Sequence, residues 1–585
     1  MSKIDKYLLK VNKPTQYLGN ELNSIYKKDY ETHICFIYPD LYEVGMSSLA
    51  TQILYYGFNQ EEGVYCERGF APEVDMEEIL RENKIPLFSL ETKTDLKDFD
   101  ILSFTLSYEM TYTNILNILD MSQLKIEREE RNEEDPIIMA GGTGAYNPKI
   151  MEKYIDVFVV GEGEEVLKEI CTVMKKNKNK NKDEKLIELA NLKGIYVPKF
   201  YDGEKIQKRI VKDLDKNYYP DKWIVPYMKI IHNRTSIEIQ RGCTRGCRFC
   251  QAGMIYRPVR ERSVDKNMLA IKNCLDSTGY DEVSLSSLST SDYSQVGALI
   301  EEIQKEYEGE KIAISLPSLR MDNFSLDLAK KVSGTRKTGF TFAPEAGSQR
   351  VRDIINKGVT EEDIMTTAIG ACEAGWRRLK FYFMIGLPFE TLEDVEAIYT
   401  LTKKVLRECM RVQKGIEITI SIGNFVPKNN TPFQWEKQMG MDEMKEKHNL
   451  LRKLFGKEKR LNLKIHNPRI SYLEGFLSRG DERIGELVKK AWEKGAKFDG
   501  WKDHFKFDKW IEALEELNIK EEDYLGERAI KSTLPWEMVD SGIKKEYLLS
   551  ELNKAKELGL TADCRSGCTG CGVCQHYNVD MDIKN

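Results

Sequence analysis

The chain has 585 residues, 41% hydrophobic and 31% charged, with a net charge of -6. That length implies several domains, and the acidic balance excludes a protein that holds nucleic acid by overall charge. No run of about 18 apolar residues occurs, so no membrane-spanning helix is expected. Met1–Lys13 alternates apolar and charged residues, unlike a signal peptide.

In chain order, residues 1–29 read as a leader and 30–174 as an α/β domain. Strand-like runs fall at His33–Tyr38, around Val64–Tyr65, and at Pro86–Leu90, Ile101–Phe104, Pro136–Ala140 and Val157–Val160. Helical stretches between them predict a doubly wound parallel sheet. Glycine-rich turns, Gly141-Gly142-Thr143-Gly144 and Gly161-Glu162-Gly163-Glu164, follow the later strands, where such sheets bind ligands. Residues 175–231 read as a connecting segment that opens with the polar run 175–185, KKNKNKNKDEK.

Residues 232–440 are regular. Six strand candidates, Ser236–Gln240, Glu282–Leu288, Lys311–Leu316, Gly339–Ala343, Leu379–Ile385 and Glu417–Phe425, alternate with helices starting near Ser263, Ser294, Ser325, Thr360 and Leu392. Six β/α units predict a partial (β/α)6 barrel with its chemistry at the carboxyl ends of the strands. Residues 441–560 read as helical, clearest at 441–458, 481–495 and 507–517, with Trp492, Trp501, Trp510 and Trp536 as core anchors. Residues 561–585 form a cysteine-rich tail.

Seven of the thirteen cysteines sit in two tight groups. Such clustering indicates metal ligation in a reducing compartment, hence a cytoplasmic location. The single cysteines at 35, 66, 171, 274, 372 and 409 read as buried hydrophobes. Cys243, Cys247 and Cys250 lie in RGCTRGCRFC, directly after the first barrel strand. Three thiolates can fill three corners of an Fe4S4 cube and leave one iron open. Zinc would want a fourth ligand, and the nearest candidate, His232, lies beyond the strand. Arg241, Arg245 and Arg248 offer positive charge beside the thiolates.

This C-x3-C-x2-C loop, with Phe249 before its last cysteine, resembles the signature of the radical S-adenosylmethionine (SAM) superfamily. The resemblance implies a [4Fe-4S] cluster whose open iron chelates SAM, reductive SAM cleavage, and an electron donor such as flavodoxin or ferredoxin. It places Phe249 against adenine. Ser286 and Ser289, beside Ser287, stand where the superfamily often has a GGE-like stretch, a departure. Glu345 and Lys357 match positions that meet SAM or a carboxylate, and Gly386, in Met384–Pro388, matches the segment along adenine.

The first domain resembles the cobalamin-binding domain of many radical SAM proteins through Gly141-Gly142, Asn147-Pro148 and Gly161–Glu164. In the frame D-x-H-x-x-G, Asp40-Leu41-Tyr42-Glu43-Val44-Gly45 puts Tyr42 at the histidine position. A phenol is a poor cobalt ligand near neutral pH, so cobalamin, if bound, is expected to lack a histidine lower ligand. The alternative is a retained fold that serves as scaffold. With Pro14–Asn23 and the tail, the chain is similar throughout to B12-binding-type radical SAM proteins.

In the tail, Cys564, Cys568, Cys571 and Cys574 suit one metal centre, either a second [4Fe-4S] cluster or zinc. The leading reading is radical modification of a carbon centre, with methyl transfer through cobalamin as one form. Methylthiotransferase-like sulfur insertion would need three cysteines in the first domain, where only Cys35, Cys66 and Cys171 are available. A non-catalytic Fe–S binding factor is a third reading. The substrate, whether RNA, protein or small molecule, is not specified by any motif.

Overall fold

The computed structural model describes residues 3–322 and 340–584. Its first sheet contains β1 (Thr32–Tyr38), β2 (Val64–Phe70), β3 (Ile101–Thr105), β4 (Ile137–Gly141), β5 (Val157–Val159) and β6 (Ile195–Tyr196). The order is β2-β1-β3-β4-β5-β6, parallel except for β6. This doubly wound order has its switch point between β1 and β3, where such sheets open a crevice. β1 is buried along nearly its whole length, which is why its sequence lacks polar alternation.

One face packs on the helices Leu49–Gln60, Val166–Lys176 and Lys182–Ala190. The other is covered by Tyr112–Met121 and by two helices from far along the chain, Glu482–Glu493 and Phe507–Glu516. Leu487, Phe498 and Trp510 thus share a core with Leu102 and Ile138. The C-terminal helices complete, beside Tyr112–Met121, the cover of this second apolar face. Three expectations change. Pro86–Leu90 is not a strand: Leu87, Phe88 and Leu90 are buried, but Leu87 bonds out of the sheet to Met121 and Leu96. The 175–185 run spans the end of one helix, a short turn and the start of the next, which Asn181 caps through a capping box. The leader is tied down, with Asn23 donating to the carbonyls of Trp223 (2.7 Å) and Ser277 (2.8 Å).

The short β7 (Ile206–Gln207) precedes the barrel, whose first strand is β8 (Thr235–Glu238). β9 (Gln240–Arg241) pairs antiparallel with β10 (Arg260–Glu261) and clamps the base of the cysteine loop. β11 (Glu282–Ser286) and β12 (Ala313–Ser315) join β8 in one parallel arc. β13 (Phe340–Glu345), β14 (Arg378–Ile385), β15 (Glu417–Asn424) and β16 (Leu461–Ile465) form a second, and a parallel bridge from Leu319 to Phe342 links the two. β16 falls in the stretch read from sequence as helical. The helix expected from Ser325, and Gly339 of the fourth strand, lie outside the described residues. β17 (Val539–Asp540) pairs with β7, which ties the C-terminal region to the segment between the two units.

Candidate active site

Cys243, Cys247 and Cys250 follow β9 on one loop. Gly242 has φ +84°, and a Cβ there would meet the carbonyl oxygens of Tyr256 (2.6 Å) and Pro258 (2.7 Å), so only glycine fits. Cys250 caps the short helix Gln251–Ile255, and its Sγ accepts from the Gly253 amide at 3.3 Å. Burial, then the charge of Cys247, pushes the Cys243 thiol up to about 11 and the Cys250 thiol up to about 12. Such thiols ionise only against a strong positive partner. Among the described residues, no three Cys, His, Asp or Glu side chains converge on one point. A cube gives each thiolate its own iron, so three ligands spread along one loop fit it better than they fit a single ion.

The loop arginines do not face the thiols. Arg241 pairs with Glu162, Glu164 and Glu238. Arg245 pairs with Asp292, Asp322 and Asp563. Arg248 is fully buried on Glu551 and the carbonyls of Asp353 and Ile354. A cation that does reach a thiol is Arg320, whose Nη1 lies 4.0 Å from Cys247 Sγ. Burial opposes its charge and Cys247 offsets that. Sequence reasoning missed Arg320, although it lies just past the third barrel strand, where barrel chemistry is expected.

β13 carries a register shift between Phe342 and Glu345, and this bulge re-aims its end. Glu345 has φ 69°, a left-handed conformation that costs a non-glycine residue about 1–2 kcal/mol. Its Oε1 lies 3.1 Å from Lys357 Nζ, and the Lys357 charge reaches Cys250. Glu345 and Lys357 are thus brought to the cysteine loop. Phe249 packs at the edge of a core containing Met254, Leu387, Phe425 and Cys571. Gly386, at φ +78°, leaves no room for a Cβ, which would meet Met439 at 2.6 Å.

A cavity of about 570 Å³ lies between the carboxyl ends of the first sheet and the barrel mouth. Gly141 and Gly142 line it, as do Ser286 and Ser287 from the end of β11. Ser289 does not; its hydroxyl donates to Asp292 at 2.6 Å. Tyr42 does not line it either. It is buried with its hydroxyl donating to Glu21 at 2.8 Å, beside an Arg68 clamped by Glu21 and Glu91. Burial and Glu21 raise its phenol further. The expectation that Tyr42 meets a cofactor is therefore corrected: the D-x-H-like frame fixes spacing, but the turn after β1 points the ring inward.

The tail packs on the cysteine loop. The Cys564 amide donates to the Thr244 carbonyl at 3.1 Å, and Thr244 Oγ1 donates to Asp563 at 2.9 Å. Cys568 is exposed and Cys571 buried. In the first domain, Cys35 lies in the core on one face of the sheet, and Cys66 and Cys171 in the core on the other. They cannot serve one centre, so a three-cysteine site of the methylthiotransferase kind is absent there.

These are two parallel arcs of a partial β/α barrel with a three-thiolate loop at its mouth, beside a doubly wound domain across a large cavity. Two family models match, "Radical SAM proteins, N-terminal" over residues 50–198 and "Radical SAM superfamily" over residues 237–402. The chain belongs to the radical SAM superfamily and is an iron–sulfur enzyme acting with SAM. It is 28% identical over 493 residues to the uncharacterized protein MJ0966 of Methanocaldococcus jannaschii, covering 83% of this chain and 97% of that one. It is 24% identical over 285 residues to the uncharacterized methyltransferase PH0819 of Pyrococcus horikoshii, covering 47% and 59%. Its fold is similar to that of the radical SAM methyltransferase TsrM of Kitasatospora setae, solved with cobalamin and a [4Fe-4S] cluster, with TM-score 0.52, 14% identity, and 78% and 99% coverage.

Proposed function

We propose that the chain is a cobalamin-dependent radical SAM methyltransferase. The cavity at the switch point of the first sheet carries this reading. Its size suits a large organic ligand. Its lining offers apolar side chains from the helix Leu49–Gln60, the glycine turns after β4 and β5, and two buried atoms without a hydrogen-bond partner, Thr105 Oγ1 and Gln240 Oε1. Bound there, cobalamin would carry a methyl group between SAM and substrate. Among the described residues, no His, Cys or Lys lines the cavity, so these walls offer cobalt no imidazole, amine or thiolate ligand.

Cys243, Cys247 and Cys250 hold the [4Fe-4S] cluster. Arg320 balances its charge, and Phe249, Glu345, Lys357 and Gly386 border SAM. Glu345 accepts hydrogen bonds from the SAM amino group or ribose, and Lys357 meets its carboxylate. Cys564, Cys568, Cys571 and Cys574 hold a second metal–thiolate centre. A low-potential protein of the flavodoxin or ferredoxin class supplies electrons. The free thiols suit a reducing cytoplasm, and no described helix is long and apolar enough to cross a membrane.

The test is anaerobic turnover of SAM by reconstituted protein, with S-adenosylhomocysteine and 5′-deoxyadenosine measured by mass spectrometry. S-adenosylhomocysteine should form only when cobalamin is present. Equal yields with and without cobalamin would overturn the reading.

A further inference from the structure

The two cysteine groups are fastened to each other by more than chain proximity. One side-chain amide, Asn356 Nδ2, lies within hydrogen-bond distance of the carbonyls of Gly246 (3.3 Å) in the barrel loop and Thr561 (3.2 Å) before the tail cysteines. Its Oδ1 accepts from the Thr561 amide at 2.9 Å. Arg565 of the tail reaches Asp292 at 3.1 Å, the same carboxylate that holds Arg245. Asp563 accepts from Thr244 and pairs with Arg245. The contacts fall on residues 244–246, between Cys243 and Cys247, and would hold the two groups at a fixed separation.

Arg257 is the second observation. It is 3% exposed. Its Nε donates to the Gly253 carbonyl at 3.0 Å and its Nη1 to the Tyr547 hydroxyl at 3.1 Å. Its Nη2 has no hydrogen-bond partner among the described residues and lies 3.3 Å from where a Gly246 Cβ would stand. Burial works against its charge, and Tyr547, Cys571 and Cys564 more than offset this. A buried guanidinium with an open donor is costly unless an anion completes it. Tyr547, which it contacts, shares a core with Cys571 of the tail, and Gly246 of the barrel loop lies on the other side. The far edge of the tail opens outward, since Cys568 is exposed.

We propose that residues 564–574 form a redox-active iron–sulfur relay, that electrons enter at the Cys568 edge, and that Arg257 is the buried cation set between the relay and the barrel loop. This rests on the reading of the tail as a metal site and assigns that site a role and a metal class. One electron leaves a reduced protein donor of the ferredoxin class, resides on the tail centre, and passes to the barrel centre. No bond forms or breaks in the transfer. Arg257 is a positioning residue, acting through the charge it places beside the thiolates.

The test uses the full chain, reconstituted anaerobically, as wild type, Arg257→Gln, Arg257→Lys and Cys568→Ser. Iron and zinc are counted, and reduction of the barrel centre is followed by freeze-quench electron paramagnetic resonance with reduced ferredoxin or with dithionite. Wild type should hold about eight irons, two [4Fe-4S] sets. Cys568→Ser should lower the iron toward about four, slow ferredoxin-driven reduction at least tenfold, and change dithionite-driven reduction less than twofold. Arg257→Gln should make the tail centre at least tenfold harder to reduce, about 59 mV more negative for one electron, and Arg257→Lys should restore most of that shift. About eight irons with ferredoxin-driven rates unchanged in Cys568→Ser would overturn the relay and leave the metal site standing. One zinc, or no second metal, would overturn the relay through the metal assignment. An unshifted potential in Arg257→Gln would remove Arg257 from the proposal.

Discussion

Replacing Glu345 by glycine separates function from stability. Glu345 sits at φ 69°, which costs a non-glycine residue about 1–2 kcal/mol. Glycine removes that cost and adds about 0.5–1 kcal/mol of unfolded-state entropy. It also frees Lys357, whose ion pair with Glu345 is mostly buried, side chains 9% and 14% exposed. Losing a buried partner costs about 1–3 kcal/mol. The costs exceed the gain by about 1 kcal/mol at mid-range, so Glu345→Gly should melt slightly below wild type. Glu345→Gln keeps the backbone cost and loses the charge, so it should melt at or below the glycine variant. SAM affinity should fall in both. Charge-assisted hydrogen bonds contribute about 1.5–3 kcal/mol, or about 10- to 150-fold. Calorimetric titration of SAM into the reconstituted variants reads the loss, and differential scanning reads the midpoints. A glycine variant that binds SAM as tightly as wild type, or melts well below the glutamine variant, would refute the reasoning.

Other predictions follow from the same geometry. Glu551→Ala strips the buried Arg248 of its carboxylate; such losses cost about 3–5 kcal/mol, so the barrel cluster should leach faster on dilution, as read by its absorbance. Gly386→Ala forces a Cβ onto Met439 and should weaken SAM binding while iron content stays constant. Cobalamin bound to the chain should show no nitrogen superhyperfine splitting from a protein ligand in the Co(II) resonance, because no His lines the cavity among the described residues. Asp499 is buried, and burial raises its carboxyl to about 6 despite hydrogen bonds from Thr113 and Trp510. Its folded value lies above its unfolded value of about 4. The native state therefore holds the extra proton, and stability falls as pH rises from about 4 to about 6, by about 3 kcal/mol. Asp499→Asn should flatten that slope in urea titrations.

The cysteine loop and the barrel strands were legible because their signals are local: ligand spacing in one case, apolar runs bounded by caps in the other. Ser263 and Thr360 cap the barrel helices where expected. β16 was missed because Leu461, Leu463 and Ile465 alternate within a Lys- and Glu-rich stretch that reads as helical. Tyr42 was placed by frame alone, and its inward direction depends on Glu21, which comes from the leader. The loop arginines were assigned to the thiols by proximity in sequence, whereas carboxylates from six different segments claim them. Part of the cover for one face of the first sheet comes from residues beyond 480, a pairing no local pattern encodes.

The central claim is that the cavity between the first sheet and the barrel holds cobalamin. Its most direct test is the cobalt-to-protein ratio after anaerobic equilibration with hydroxocobalamin and gel filtration. The ratio should be about one in wild type and should drop sharply when Ala50, on the cavity wall, is replaced by Trp. Protein that retains its barrel cluster and binds SAM but carries no cobalt would contradict the claim.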